Sequence, residues 1–159
     1  MRISFSLLAL SLGFAGVSPA LAAPDAFLTK AIQGDNSEMR LGKLAQTRGQ
    51  SAAVRRFGAT LARDHAAARR AALPVARRHN VAVSDDMAEE ARAEYDKLDQ
   101  LRGRAFDREF ARYMVEDHRE DIAEFSREAA SRDPADVRAL ARQTLPALRR
   151  HLRTARALG

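Results

Sequence analysis

Apolar residues recur along this chain at steps of three and four in four long runs, the spacing that gathers side chains on one face of an α-helix. The first run follows Pro24-Asp25 and carries Phe27, Ala31, Gly34, Leu41 and Ala45, flanked by Ile32 and Leu44. The second carries Val54, Phe57, Leu61, Ala68, Ala72 and Val75, and the third Phe106, Phe110, Met114, Ile122, Phe125 and Ala129. The fourth carries Val137, Leu140, Thr144, Leu148, Ala155 and Leu158. Each run predicts a long helix with one buried stripe.

Punctuation between the runs sets their order. Asp25 is a plausible N-cap, Gly49 fits the left-handed position after the first helix, and Ser51 can cap the second, so the first two helices should be antiparallel neighbours across a short turn. Pro74 should kink or end the second helix, because its ring removes a donor and crowds the carbonyl four residues back. The segment from Arg77 to Asp86 reads as a loop with His79 at the surface. Ser84 then caps a shorter helix from Asp85 to about Arg102, closed by Gly103, whose apolar members are Met87, Ala91, Tyr95, Leu98 and Leu101. A third long helix runs from about Ala105 to Ser131. Asp133-Pro134 supplies the cap and first-turn proline of the last helix, with Asp136 near its positive end and Pro146 expected to bend it. The predicted architecture is all-α: an antiparallel up-down-up-down four-helix bundle with a short crossover helix between helices two and three.

Every stripe is broken once by a polar residue: Glu38, His65, His118 and His151. A buried imidazole without a hydrogen bond or metal costs a few kcal/mol, so these residues need partners. At 1.5 Å of rise per residue, Glu38 and His65 lie roughly 20 Å from the turn near residue 51, and His118 and His151 roughly 23 and 27 Å from the turn near 133. In an up-down-up-down bundle the four therefore fall within about two helical turns of one level. Three imidazoles and a carboxylate are a reasonable ligand set for one transition ion, zinc, copper, iron or manganese. Asp64 and Asp117, each preceding a histidine, are placed to orient a neighbouring imidazole through its second nitrogen. The other reading of the same layer has no metal: His, Glu and Asp hydrogen-bond one another and fix helix register.

Composition narrows the setting. Met1 to Ala22 carries an early arginine, an apolar segment and Ala20-Leu21-Ala22, the pattern of a signal peptide cleaved after Ala22; the apolar run falls short of the roughly 20 residues that span a bilayer. Residues 23–159 then form a single domain of an exported, periplasmic or envelope-associated protein, and the lack of cysteine removes any disulfide framework. The net charge of +6 is carried largely by arginine, with Arg55, Arg56, Arg63, Arg69, Arg70, Arg77 and Arg78 in one segment. Export argues against nucleic acid as a partner and leaves weak association with an anionic membrane or envelope surface, or simply a solvated helix face. Ser51, Ser84, Ser126 and Ser131 sit at turns or on polar faces, so no serine nucleophile with a histidine base stands out, and the pattern points away from an enzyme.

The phrases KAIQGDNSEMRLGKLA (Lys30 to Ala45), LARDH (Leu61 to His65), GRAFDREFARYMVEDH (Gly103 to His118) and QTLPALRRH (Gln143 to His151) resemble the exported bacterial domain-of-unknown-function family four-one-four-two. The likeness covers nearly all of the chain after the leader. It implies a ferritin-like four-helix bundle of the periplasm or outer membrane with no established activity. It also implies motif positions at Glu38, Asp64, His65, Phe106, Asp107, Asp117, His118, Leu145, Pro146 and His151. One departure bears on chemistry. Di-iron bundles pair Glu with His three residues later, whereas Ala62, Val115 and Leu148 stand three before the histidines here, which lowers the case for ferroxidase chemistry.

Overall fold

The computed structural model describes residues 24–159, and the leader expected at Met1 to Ala22 lies outside them. Five helices follow in order: α1 (Pro24–Arg48), α2 (Ala52–Arg78), α3 (Glu89–Gln100), α4 (Gly103–Ala129) and α5 (Ala135–Arg156). No strand occurs among the described residues, so the protein is an all-helical bundle.

The turn between α1 and α2 shows how local sequence and a distant residue cooperate. The Gly49 N–H donates to Ala45 O (2.9 Å), and Ser51 Oγ caps α2 by accepting from the Val54 N–H (3.2 Å). Asp107 on α4 then accepts from the backbone N–H groups of Gln50 and Ser51, both at 2.8 Å, where an unpaired donor would otherwise remain. The backbones of α1 and α2 come into close contact at Gly42 and Gly58. A methyl group on Gly58 would lie 2.5 Å from Gly42 O, and one on Gly42 would lie 2.6 Å from Gly58 O. Glycine is what lets these backbones touch.

Two apolar clusters fill the interior, one on either side of a polar layer. The first gathers Phe27, Leu28 and Ile32 of α1, Ala72 and Val75 of α2, Phe125 of α4, and Val137, Leu140 and Leu148 of α5. The second gathers Leu41 and Leu44 of α1, Val54, Phe57 and Leu61 of α2, Leu98 of α3, Phe106, Phe110 and Met114 of α4, and Ala155 of α5. Burial of each large side chain contributes about 1.5 to 3 kcal/mol. Along every long helix the chain passes from one cluster to the other, and the residue at the crossing is Glu38, His65, His118 or His151.

One open expectation is decided and three others change. α2 runs through Pro74 to Arg78 without ending there. The carbonyl that loses its partner belongs to Arg70, which is exposed, so water can take the place of the missing N–H. Ser84 caps no helix: its hydroxyl is occupied by Asp86, donating to Oδ2 (2.5 Å) and accepting from the N–H (2.9 Å). The Asn36 amide holds the Ser84 and Asp86 carbonyls at 2.9 and 3.0 Å, which keeps this segment extended against α1 until α3 begins at Glu89. Gly103 opens α4 in the left-handed region (φ 61°) and does not close α3. Pro134, not Asp133, occupies the cap position of α5, which starts at Ala135.

Candidate metal centre

The layer between the two clusters is assembled from one side chain per long helix. His65 (4% exposed), His118 (0%), His151 (3%) and Glu38 (2%) are all removed from solvent. Their rings are near neighbours, with centroids 6.0 Å apart for His65 and His118, 5.4 Å for His65 and His151, and 5.3 Å for His118 and His151. Each of the three histidines offers a ring nitrogen within 4.8 Å of those of the other two.

The tautomers follow from what each ring faces. His118 Nδ1 lies 3.1 Å from Met114 O, and a carbonyl can only accept, so Nδ1 carries the proton. His65 Nδ1 donates to Asp35 Oδ1 (2.9 Å), and His151 Nε2 donates to Asp64 Oδ2 (3.0 Å). Every imidazole is thus anchored through one nitrogen. The other nitrogen, His65 Nε2, His118 Nε2 or His151 Nδ1, is buried with no hydrogen-bond partner among the described residues, and so are both Glu38 oxygens. Glu38 Oε2 lies 4.0 Å from His65 Nε2 and Glu38 Oε1 lies 3.5 Å from His118 Nδ1, close but not bonded.

Burial shifts three members of the layer, His118, His151 and Glu38, toward their neutral forms. Burial, aided by the imidazoles of His65 and His151, holds His118 well below the usual histidine range, and burial lowers His151 against the pull of Asp64. Burial and then the Asp117 charge push Glu38 well above the usual carboxylate range. Burial also raises Asp35, opposed by His65, whereas Asp64 is partly exposed: its modest burial is outweighed by hydrogen bonds from His151 and Arg63, and it lies low. Neutral imidazoles with free lone pairs are the form that binds metal, and a cation among them would reverse the penalty on the Glu38 carboxylate.

All four residues singled out in the stripes meet here. Of the two orienting aspartates expected from sequence, Asp64 anchors an imidazole, that of His151 on another helix. Asp117 does not: its Oδ2 stands 3.7 Å from His118 Nδ1, and the Met114 carbonyl takes that proton instead. Asp117 faces Glu38, and Glu38, Asp117 and His118 each offer a ligand atom within 4.8 Å of one another. Asp35 was missed as the partner of His65; its signal is its place three residues before Glu38, on the same side of α1. His79 stands apart at the end of α2, where it faces Asp136 at 3.0 Å.

A family model described as Domain of unknown function (DUF4142) matches residues 13–158. No curated protein matches the sequence. Among solved structures, a DUF305 fragment from Deinococcus radiodurans is 22% identical with a TM-score of 0.74, over 89% of this chain and 97% of that one. A DUF305 protein from Streptomyces coelicolor, provisionally described as secreted, is 19% identical with a TM-score of 0.68, over 86% and 91% of the two chains. At these identities the likeness establishes a shared fold.

Proposed function

Because the chain belongs to the DUF4142 family, whose description assigns no activity, its function has to be read from the polar layer, and we propose that the protein binds one divalent transition ion through His65, His118, His151 and Glu38. The observation that carries this reading is the pairing of anchored and bare nitrogens: three rings fixed from outside, each with an unpartnered lone pair inside the layer. Leaving one such buried group unpaired costs about 1 to 3 kcal/mol. A layer that served packing alone would satisfy its own groups, whereas the inward nitrogens of all three rings have no partner among the described residues; Glu38, pushed toward its neutral form, has the Asp117 carboxylate beside it.

A tetrahedral ion with bonds near 2.1 Å holds its ligand atoms roughly 3.4 Å apart, so nitrogens that lie within 4.8 Å of one another need to draw in by at most about 1.4 Å. Three nitrogens and one oxygen suit zinc or copper better than manganese or magnesium, which prefer more oxygen donors. We place the protein in metal handling or stress protection at the cell envelope. Export is supported by the leader pattern of Met1 to Ala22, and no described helix is long and apolar enough to cross a membrane. The same reading takes α1, α2, α4 and α5 as an up-down-up-down bundle with α3 in the crossover. Its support is the core, where the start of α1 shares a cluster with the end of α2, and the end of α4 with the start of α5.

Elemental analysis of the purified mature protein after exposure to zinc, copper, iron and manganese tests the reading. One ion per chain is expected, and its loss in His118→Ala. No bound metal, or an unchanged content in that variant, overturns it.

A further inference from the structure

A site buried this deeply has to be loaded, and the surface around it is not uniform. Between α1, α4 and the segment leading into α3 lies a groove of about 880 Å³ whose lining carries eight carboxylates, Asp117, Asp121 and Glu124 among them, against two cations, Lys30 and Arg92. On a protein of net charge +6 this is a local inversion of sign. A second, narrow cavity of about 30 Å³ shares Lys30, Gly34, Asp121 and Glu124 with the groove and continues inward to Asp35 and His65. That volume is close to the share of a single water molecule, about 30 Å³.

The acidic lining alone would show nothing. Two independent features point from it to a cation. The first is His65, a residue of the inner cavity's lining that is only 4% exposed and whose Nε2 has no partner among the described residues. The second is Glu38, 2% exposed with both oxygens unpartnered, which has a ligand atom within 4.8 Å of one on Asp117 at the groove wall. Gly34 stands where groove and cavity join, and a methyl group built on it meets nothing within 4 Å. A side chain at Gly34 would extend into open space beside the lining that groove and cavity share.

We propose that the acidic groove is the entrance of the metal site: Asp117 and Asp121 form a first cation-binding station, and the aperture beside Gly34 passes the ion to His65 and Glu38. This rests on the metal reading above and adds to it a route and a second, weaker site. Carboxylates lining a cleft raise the local concentration of cations and their association rate by about 10- to 1,000-fold, with a steep dependence on salt. Oxygen ligands exchange readily and hold a divalent ion loosely, as a station must, whereas the inner imidazoles hold it firmly.

Transfer of Zn²⁺ from a chromophoric chelator to the metal-free mature protein, followed after rapid mixing, reads loading, and transfer from the zinc-loaded protein to excess chelator reads release. Gly34→Leu should slow loading and release alike, each by roughly tenfold, with the equilibrium affinity unchanged, because an obstructed passage hinders both directions. Leucine also favours a helix over glycine, so the variant keeps its fold, which far-UV circular dichroism checks. Asp121→Asn should slow loading and flatten its dependence on ionic strength. Loading of both variants at the wild-type rate overturns the entrance while leaving the metal site standing. A Gly34→Leu affinity that changes because only one of the two rates has changed also overturns it, since an obstructed passage must slow both alike. A wild-type protein that takes up no zinc overturns the metal reading, and the entrance with it.

Discussion

At the scale of single residues, the bundle shows why adjacency in sequence is a poor guide to partnership. Asp64 and Asp117 each precede a histidine, but neighbouring helix residues point about 100° apart, so neither carboxylate anchors the imidazole beside it. Asp64 reaches His151 across the bundle, and Asp117 turns toward Glu38 and the groove. The four stripe residues were legible because each breaks an apolar pattern on its own helix. The anchor of His65 was not, since Asp35 lies 30 residues away and only the packing of α1 on α2 selects it. The anchoring role predicts a division of effects. Asp35→Asn should weaken metal binding by about 10- to 100-fold, as loss of an outer partner of a ligating histidine does, measured by competition with a chelator of known affinity. Glu38→Gln should do something different. Without metal the buried carboxyl is a liability, so the substitution should raise the stability of the metal-free protein to urea by about 1 kcal/mol and reduce the further stabilisation that zinc confers. Equal stability of the two metal-free proteins would count against an uncompensated Glu38.

At the scale of elements, the long helices follow from their stripes, and the joins between them depend on contacts that no local pattern encodes. Ser84 has the sequence of a helix cap, but Asn36 of α1 holds the backbone around it extended, and α3 starts five residues later. The Gly42 and Gly58 contact is likewise invisible from one helix alone. It predicts that Gly58→Ala destabilises the protein by about 1 to 3 kcal/mol despite the better helix propensity of alanine, because backbone atoms of α1 stand 2.5 and 2.7 Å from the new methyl group. Thermal unfolding would read this as a lower Tm, and an unchanged Tm would mean the helices separate freely. α3 carries its own prediction through Glu109, whose carboxylate accepts from Lys97 of α3 and from Arg112. Those bonds, with Arg112 the stronger influence, hold Glu109 down at about 2 from an ordinary 4.5. A depressed carboxylate stabilises above its unfolded value and loses that contribution as pH falls through the folded one, so the α3 tie should weaken between about pH 4.5 and 2. Glu94 in the same cluster is raised by burial and the Glu109 charge, so it protonates first and gives up its own 3.7 Å ion pair with Arg112 before the Glu109 bonds are lost. Hydrogen exchange should show α3 amides losing protection in that window while α1 and α2 amides keep theirs.

Across the whole molecule, charge is segregated in a way that separates loading from location. Acid concentrates in the groove beside α1 and α4, whereas arginine is spaced along the outside of two other helices. Arg56, Arg63, Arg70 and Arg77 recur every seven residues on α2 and are exposed, and Arg142, Arg149 and Arg156 do the same on α5. Seven residues are nearly two helical turns, so each set forms a stripe along one side of its helix. Among the described residues, Arg63 is the one member of the α2 stripe that also pairs with an acid, Asp64 at 2.9 Å. An anionic membrane surface attracts such residues by about 1 kcal/mol each, and the attraction fades beyond a Debye length of roughly 10 Å at 0.1 M salt. The mature protein should therefore sediment with phosphatidylserine-containing vesicles at low ionic strength, stay free of neutral ones, and be released by salt. Replacing Arg56, Arg70 and Arg77 with Gln should weaken that association by about 3 kcal/mol, roughly a hundredfold. The same triple variant should load zinc at the wild-type rate, because the arginines and the groove belong to different faces. Absence of vesicle binding at low salt, or binding that survives high salt, would make the stripes an ordinary solvated surface and leave the acidic groove as the one charged feature with a task.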